Sequence, residues 1–536
     1  MVIRGEIRKG AYHDSVTLMI VSGKLNELEG VEEASVVMAT GENRSILEAA
    51  GLWTGELDDA SETDLVISLR AASEEVARKA LEQVGELLGQ VSKKQSVHAG
   101  PVARSLEQAV EQLRGARLAL ISVAGRHAAA EARRALDAGL HVMLFSDNVS
   151  LEDERGLKEL ALSKGLFMMG PDCGTAIING VPLAFANRVA RGPVGVVAAS
   201  GTGLQEVCCL LDRHGTGISQ AIGTGGRDIK EAVGGIMFME GIRALARDED
   251  TTCIVLISKP PDLPVLKKVS QCVRDAGKPV VALFIGGDPG LLSDAGAWAA
   301  SDLEEAALLA HTIVRGEAME GAGELMLERQ KKVRSLARQI RQKGGWTSAT
   351  PREQDKAAQD VHGRSRKFLR ALYSGGTLCH EAQWILRKMS VRAFSNTPLE
   401  GNARLEDPRK SKEHSLVDMG DDLFTSGRPH PMMDFRLRNE RMLQEAADPE
   451  TAILLFDLVL GYGAHPSPLD ELLPLIGRLQ REVPEVLLIC PVTGTEGDPQ
   501  DRNKVVRGLE QAGVVVMPSN ASAALLAGQL IMTPTS

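Results

Sequence analysis

The sequence predicts a multidomain α/β protein in which doubly wound parallel sheets follow a small α+β unit. Three observations carry that expectation. Short apolar runs alternate with amphipathic stretches along most of the chain, the pattern of parallel strands joined by crossover helices. The chain has 536 residues, too long for a single core, and combines 54 glycines with only 3% aromatic residues, which suits many tight strand–helix turns. Finally, the small residues of Val194 to Ala199 end in Ser200-Gly201-Thr202-Gly203, and an amphipathic run from Leu204 to His214 follows. That is a strand–turn–helix junction.

The junction carries chemistry as well as shape. The first amides of a helix have no partner within it and hold the positive end of its dipole, so they suit an anion. Ser200 or Thr202 can cap the helix, and Gly201 and Gly203 let a ligand approach the backbone. A tight turn needs the same small residues, so one junction leaves both readings open. A second lies downstream. Ala452 to Leu460 is apolar, Gly461-Tyr462-Gly463-Ala464-His465-Pro466 turns, and Ser467-Pro468 opens a helix with proline in its first position. Two anion-directed starts predict a shared phosphate or carboxylate site if their domains face each other.

A net charge of −10 argues against nucleic acid or an anionic membrane as partner. Arg4, Glu6, Arg8 and Lys9 interrupt any apolar leader, and no apolar run approaches the roughly 20 residues that span a bilayer. The expectation is a cytoplasmic protein. Its seven cysteines form no CxxC pair, so free buried thiols are expected, with no disulfide framework and no metal site.

Five segments follow in order. Residues 1–95 read as the small α+β unit, with strands at Val2 to Ile7, Val31 to Met38 and Asp64 to Leu69 and helices at Ser15 to Leu28 and Ser73 to Leu88. Residues 116–190 begin a parallel unit, with Arg117 to Ala124 as a buried strand, His141 to Phe145 as the next, and a turn at Gly170-Pro171-Asp172-Cys173-Gly174. Residues 191–315 form a second wound unit whose strand at Ile218 to Ile222 runs into Gly223-Thr224-Gly225-Gly226-Arg227-Asp228. Residues 316–367 are strongly charged and read as a surface helix followed by a linker. Residues 368–536 form a third α/β domain.

The stretches Gly170 to Gly174, Ser200 to Thr202 and Gly223 to Asp228 resemble the α subunit of succinyl-CoA synthetase. The third domain, with its junction at Gly461 to His465, is similar to the C-terminal domain of that enzyme's β subunit. Together with Phe145 to Val149 and Gly427 to Pro431, the pattern is close to the FdrA family. The resemblance implies a CoA-binding-like Rossmann domain at 116–190, truncated, and flavodoxin-like domains at 191–315 and 368–536. It also implies two helices aimed at one phosphate, beginning at Ser200-Gly201-Thr202 and Gly461-Tyr462-Gly463, with Glu206 on the first.

Departures from the synthetases shape the expected function. The histidine that relays phosphate there has no counterpart, since none lies between His214 and His311 and the expected place reads Gly286 to Gly296. A nucleotide-grasping domain and a GxxxxGK[ST] loop are absent from the sequence, and no Gly-rich turn before Leu118 offers CoA a cradle. No cofactor is required, and inorganic phosphate is expected as a substrate. The resemblance then implies a subunit of an oxamate carbamoyltransferase that works with partner subunits on small anions, phosphorolysing oxalurate in the breakdown of allantoin-derived nitrogen. An ATP- and CoA-dependent acid–thiol ligase subunit is the second expectation, and a non-catalytic scaffold or anion sensor the third.

Glu206, Lys259 and His465 are the candidate catalytic residues. Lys259 follows a strand at the carboxyl edge of a sheet, where anions bind. Asp172, Gly225, Gly226, Arg227, Arg428 and His430 are candidates for substrate binding. Arg227 and Asp228 could equally pair with each other, and Arg428 and His430 could equally hold their proline-bracketed loop. Cys173 reads as a packed thiol. Asp418, Asp421 and Asp422 read as a turn with exposed carboxylates rather than a metal site.

Overall fold

The computed structural model describes residues 1–536 apart from 12, 14, 27, 96–102, 104, 344–365, 426–428 and 533–536. Two units emerge, residues 1–114 with 422–429, and residues 115–421 with 430–536. In the first, β1 (Val2–Arg8), β2 (Val31–Met38) and β3 (Leu65–Ala71) pair antiparallel in the order β1-β3-β2. Leu65, Ile67 and Leu69 pack on Leu18, Val21 and Leu25 of the helix Ser15–Asn26 and on Ala77, Ala80 and Val84 of the helix Glu74–Gln95. Val66, on the other face, meets Leu47, Leu52 and Leu57. Both faces of β3 are covered, so its apolar run is unbroken rather than alternating.

The second unit holds three sheets. β4 (Leu118–Ile121), β5 (His141–Leu144) and β6 (Met168–Met169) pair parallel in that order. Arg117 to Ala124 was expected to be buried throughout. It supplies an edge strand instead, and Leu120 is 49% exposed. The segment 116–190 also divides between sheets. β7 (Thr175–Ile178) and β8 (Val181–Ala184) form a hairpin that pairs antiparallel with a strand of the next sheet. The reason is close interlocking of two turns: a β-carbon at Gly225 would lie 2.3 Å from the Pro171 carbonyl, and one at Gly223 2.3 Å from that of Thr175.

The second sheet runs β13-β12-β11-β9-β10-β7-β8, with β9 (Arg191–Ala198), β10 (Ile218–Gly223), β11 (Cys253–Ser258), β12 (Val280–Phe284) and β13 (Trp298–Ala299) all parallel. The third contains β14 (Phe368–Tyr373), β15 (Phe394–Ser395), β16 (Ala403–Arg404), β17 (Ser415–Asp418), β18 (Thr451–Phe456), β19 (Leu458–Val459), β20 (Leu487–Thr493) and β21 (Val515–Met517). Its spine is β17-β14-β18-β20-β21. In both sheets the first strand lies between the second and third, the flavodoxin-like order, and the crevice beyond its carboxyl end is where ligands bind.

One continuous core joins these two sheets. It includes Leu204 and Val207 of the helix Gly201–Arg213, Leu303 of Leu303–Arg315, Leu378 and Ala382 of Gly376–Lys388, and Leu526 of Asn520–Ile531. The charged helix Met319–Lys343 is not confined to the surface: Ala322, Val333 and Ala337 enter the same core, and Arg329 forks onto both oxygens of Asp302 at 2.9 and 2.8 Å. The linker expected after it lies outside the described residues.

Arg227 and Asp228 do not pair with each other. Asp228 takes a bond from Lys158 at 2.9 Å, Lys158 also reaches Glu154 at 2.7 Å, and Arg227 pairs with Glu154 at 2.8 Å. Lys158, Glu154 and Asp228 are fully buried, so removing the lysine leaves Asp228 without its cation and Glu154 with Arg227 alone. Lys158→Met is expected to destabilise by about 3–5 kcal/mol, read from the urea midpoint, and adding Glu154→Gln and Asp228→Asn should recover much of the loss.

Candidate functional site

β9 delivers the chain to Ser200, whose extended backbone and hydroxyl cap the helix Gly201–Arg213, the Oγ accepting from Gly203 N at 3.1 Å. The amides of Gly201 and Thr202 take no hydrogen bond among the described residues. β14 likewise delivers Ser374-Gly375 to the helix Gly376–Lys388, which has no side-chain cap. Asp457, just beyond β18, holds that turn by accepting from Ser374 N at 2.7 Å and Gly375 N at 2.9 Å. Burial raises the Asp457 pKa, and Arg438 and the two amides oppose it. The amides of Gly376, Thr377 and Leu378 are left without partners among the described residues.

These two helix starts meet. Ser200 Oγ and Thr377 Oγ1 are 2.6 Å apart, and a β-carbon at Gly375 would lie 2.9 Å from Thr202. The helix start that meets the first junction is thus Gly376, and the turn expected at Gly461 is held differently. There, Gly461 N donates to Gln500, Tyr462 N to Ala186 O at 2.8 Å and His465 N to Met432 O at 2.8 Å. The helix begins only at Pro468. Gly461 and Gly463 have φ of 114° and 79°, and a β-carbon at Gly461 would lie 2.6 Å from the Ala186 carbonyl. Close backbone packing explains Gly461 and the positive φ explains Gly463, and the Gly461–Ala464 turn has spent the amides of Gly461 and Tyr462 on protein partners.

A sequence signal for the true partner exists. Gly201-Thr202-x-x-x-Glu206 recurs as Gly376-Thr377-x-x-x-Glu381. Glu206 is buried and accepts from Thr493 Oγ1 and, at 3.1 Å, from Asn520 N at the start of the helix Asn520–Ile531. Glu381 accepts from Leu303 N at 2.6 Å, at the start of Leu303–Arg315, and from Asn520 Nδ2 at 2.7 Å. Each site helix thus lends a carboxylate to the last helix of the other sheet's fold. Burial, followed by the nearby Asp302 charge, pushes the Glu381 pKa up to about 8.

Asp418, Lys259 and His430 gather at the second helix start. Asp418 ends β17 and is 7% exposed, against the expectation of an exposed turn. Its Oδ1 accepts from Gly420 N at 3.0 Å, and a β-carbon at Gly376 would lie 2.6 Å from its Oδ2. Burial pushes its pKa up to about 7, while the Gly420 amide and Lys259 pull it down. Lys259 follows β11, and loss of hydration lowers its pKa against the pull of Asp418. His430 accepts at Nδ1 from Met432 N at 3.2 Å, which places its proton on Nε2. Burial lowers its pKa to about 4, so the ring is neutral near pH 7. Its ring lies 6.0 Å from that of Phe185, which stacks on Phe145 at 5.7 Å. Thr175, beside Gly201, bonds Phe185 O at 2.8 Å.

The other expected residues are placed differently. His465 stacks on Phe435 at 4.8 Å and accepts from Ser467 N, so it serves the helix start at Pro468. Asp172 occupies the turn that Gly225 packs against, with φ of 55°. Gly226 lies beside the Ala199 carbonyl, and Arg227 belongs to the Glu154 network. Arg428 lies outside the described residues. Cys173 is buried with its pKa pushed up to about 12 by desolvation, the state of a packed thiol. No cluster able to hold a metal ion occurs among the described residues.

The fold is that of a multidomain α/β protein, and a CoA-ligase family model matches residues 372–530. The chain belongs to the family of the Escherichia coli (strain K12) uncharacterized protein YahF, with 38% identity over 538 residues that span 99% of both chains. Succinate–CoA ligase (ADP-forming) subunit alpha 1 of Archaeoglobus fulgidus is 29% identical over 194 residues, 35% of this chain and 65% of that protein. Among solved structures, the Ca. Korarchaeum cryptofilum dinucleotide-forming acetyl-coenzyme A synthetase 1 in complex with phosphate and ADP covers 77% of this chain and 82% of its own, at 12% identity and a TM-score of 0.32.

A model for the AllF heavy metal-associated domain matches residues 1–103. That stretch contains no cysteine, so the thiolates a soft heavy metal prefers are missing. At the turn after β4, a β-carbon at Gly125 would lie 2.4 and 2.7 Å from the Asp147 and Asn148 carbonyls, so close backbone approach requires glycine there.

Gly201→Val, whose β-carbon meets only Thr175 Oγ1 at 3.2 Å, should weaken phosphate binding at least tenfold in calorimetric titration with the fold intact. Tyr462→Ala should leave affinity within about twofold, because it keeps the amide bonded to Ala186 and removes only an exposed side chain. Sulfate affinity should fall between pH 6 and pH 8: a raised carboxylate pKa makes Asp418 neutral below about 7 and an opposing charge above it.

Proposed function

We propose that this chain is a subunit that transfers an acyl-type group to or from inorganic phosphate, and specifically the carbamoyl group between carbamoyl phosphate and oxamate. The observation that carries this reading is the meeting of two helix starts with free amides at Gly201, Thr202, Gly376, Thr377 and Leu378. Amides fixed in place before the reaction can stabilise charge developing on a phosphate and a carbonyl oxygen together. No phosphohistidine is needed, and His430 directs a protonated Nε2 rather than a lone pair, since its Nδ1 accepts from Met432. The resemblance to the FdrA family supplies oxamate and oxalurate as the substrates. Partner subunits complete the assembly.

A second reading, an ATP- and CoA-dependent acid–thiol ligase subunit, is favoured by the CoA-ligase match and by the likeness to succinate–CoA ligase. The sequence weighs against it, since no histidine lies between His214 and His311 to relay phosphate. The test uses the chain copurified with its native neighbours, supplied with oxamate and carbamoyl phosphate. Oxamate-dependent phosphate release with formation of oxalurate is expected. Silence there, with ATP consumed when CoA and a carboxylic acid are supplied, would establish the ligase. Phosphate binding with neither turnover would leave a sensor or scaffold.

A further inference from the structure

We propose that Asp418 is the acid–base group of this site, accepting the proton of the attacking nitrogen during transfer and passing it to the departing phosphate. The inference rests on the transfer reading above. In the step, the C–N bond forms at the carbonyl carbon as the C–O bond to phosphorus breaks. The nitrogen's proton moves to Asp418 and then to a phosphate oxygen, so the carboxylate is restored and no other reactant is needed.

Placement comes first. The carboxylate lies against Gly376, the first residue of the second site helix, with Oδ2 where a β-carbon would intrude to 2.6 Å. Among the described residues no hydrogen bond reaches Oδ2, while Oδ1 is held by Gly420 N. A carboxylate only 7% exposed with one oxygen unpartnered, beside unpartnered helix amides, is aimed at whatever those amides bind. Its partners elsewhere hold it still: Asn396 donates to its carbonyl and accepts from its amide, both at 2.9 Å.

The neighbouring acids are already engaged. Asp457 spends both oxygens on Ser374 N and Gly375 N. Glu206 and Glu381 each face the start of another helix. His380 donates from Nδ1 to Gly376 O at 2.6 Å. The charged and titratable groups facing Asp418 among the described residues are Lys259 after β11, Asp457 after β18, Cys379 on the helix Gly376–Lys388, and Asp421 and His430 on the loop after β17, with His380 facing Lys259. Lys259 is the cation of this set and keeps the site from becoming uniformly acidic. An ionisation midpoint near neutrality lets the group take and release a proton at similar ease.

The test has two readouts. Sulfate, which does not titrate near pH 7, is bound at pH 8 in buffers of different protonation heat. Wild type should take up a proton fraction approaching one, and Asp418→Asn none, with sulfate affinity kept or improved. In the copurified assembly, Asp418→Asn should lower kcat by at least about a hundredfold, and Asp418→Glu should restore part of it with a shifted pH midpoint. Equal proton uptake by the Asn variant, or its retention of turnover and pH profile, would overturn the assignment. Absence of carbamoyl transfer by wild type would remove the transfer reading, while proton uptake on sulfate binding would still decide whether Asp418 titrates with the anion.

Discussion

Two helix starts are pressed end to end, and like ends repel. Each carries roughly half a positive charge from its unpaired amides, so the arrangement between Gly201 and Gly376 is unfavourable in isolation. Its compensation is visible residue by residue. The Ser200 and Thr377 hydroxyls bond directly. Asp457 absorbs the two amides that precede the second helix, and Asp418 stands beside its first residue. What stays uncompensated among the described residues is a small set of helix-start amides, the kind of group that suits an anion. Gly375, with Thr202 2.9 Å from where its β-carbon would be, is what allows the approach.

Holding that geometry requires the two wound sheets to behave as one body. The core is continuous across them, and the two glutamates lent across the junction reinforce it. Glu206 and Glu381 sit one turn inside their helices and bond the first amides of Asn520–Ile531 and Leu303–Arg315. A buried carboxylate is tolerated there because it meets unpaired amides and the positive end of a dipole. Helix starts with unpaired amides recur deeper in the fold, and there the protein supplies the carboxyl partners itself. The ends left for a ligand are those without a glutamate.

Much of the fold was legible. Alternating apolar and amphipathic runs placed β10, β11 and β12 to within a residue and β9 apart from its first three, because a strand covered on both faces must be apolar throughout. β7 and β8 were not legible: four-residue strands in a hairpin carry too little pattern, and only their pairing with β10 shows where they belong. Leu120 misled for the opposite reason, since an edge strand can be as apolar as a central one.

The site was half legible. Ser200-Gly201-Thr202-Gly203 showed its own helix start, because capping and unpaired amides are local properties of a chain entering a helix. The second half was assigned to Gly461, since glycines that admit a ligand and glycines that admit another backbone have the same sequence. Only the Ala186 carbonyl against Gly461 separates the two. Asp418, Asp457 and Lys259 come from three different strand ends, and no spacing rule links them. The sequence by itself determined the α/β class, the winding and one anion-directed helix start, all products of short-range periodicity and capping. Tertiary structure alone decided which second helix faces it, which carboxylates are consumed and which is left free, because those depend on distances between residues far apart in the chain.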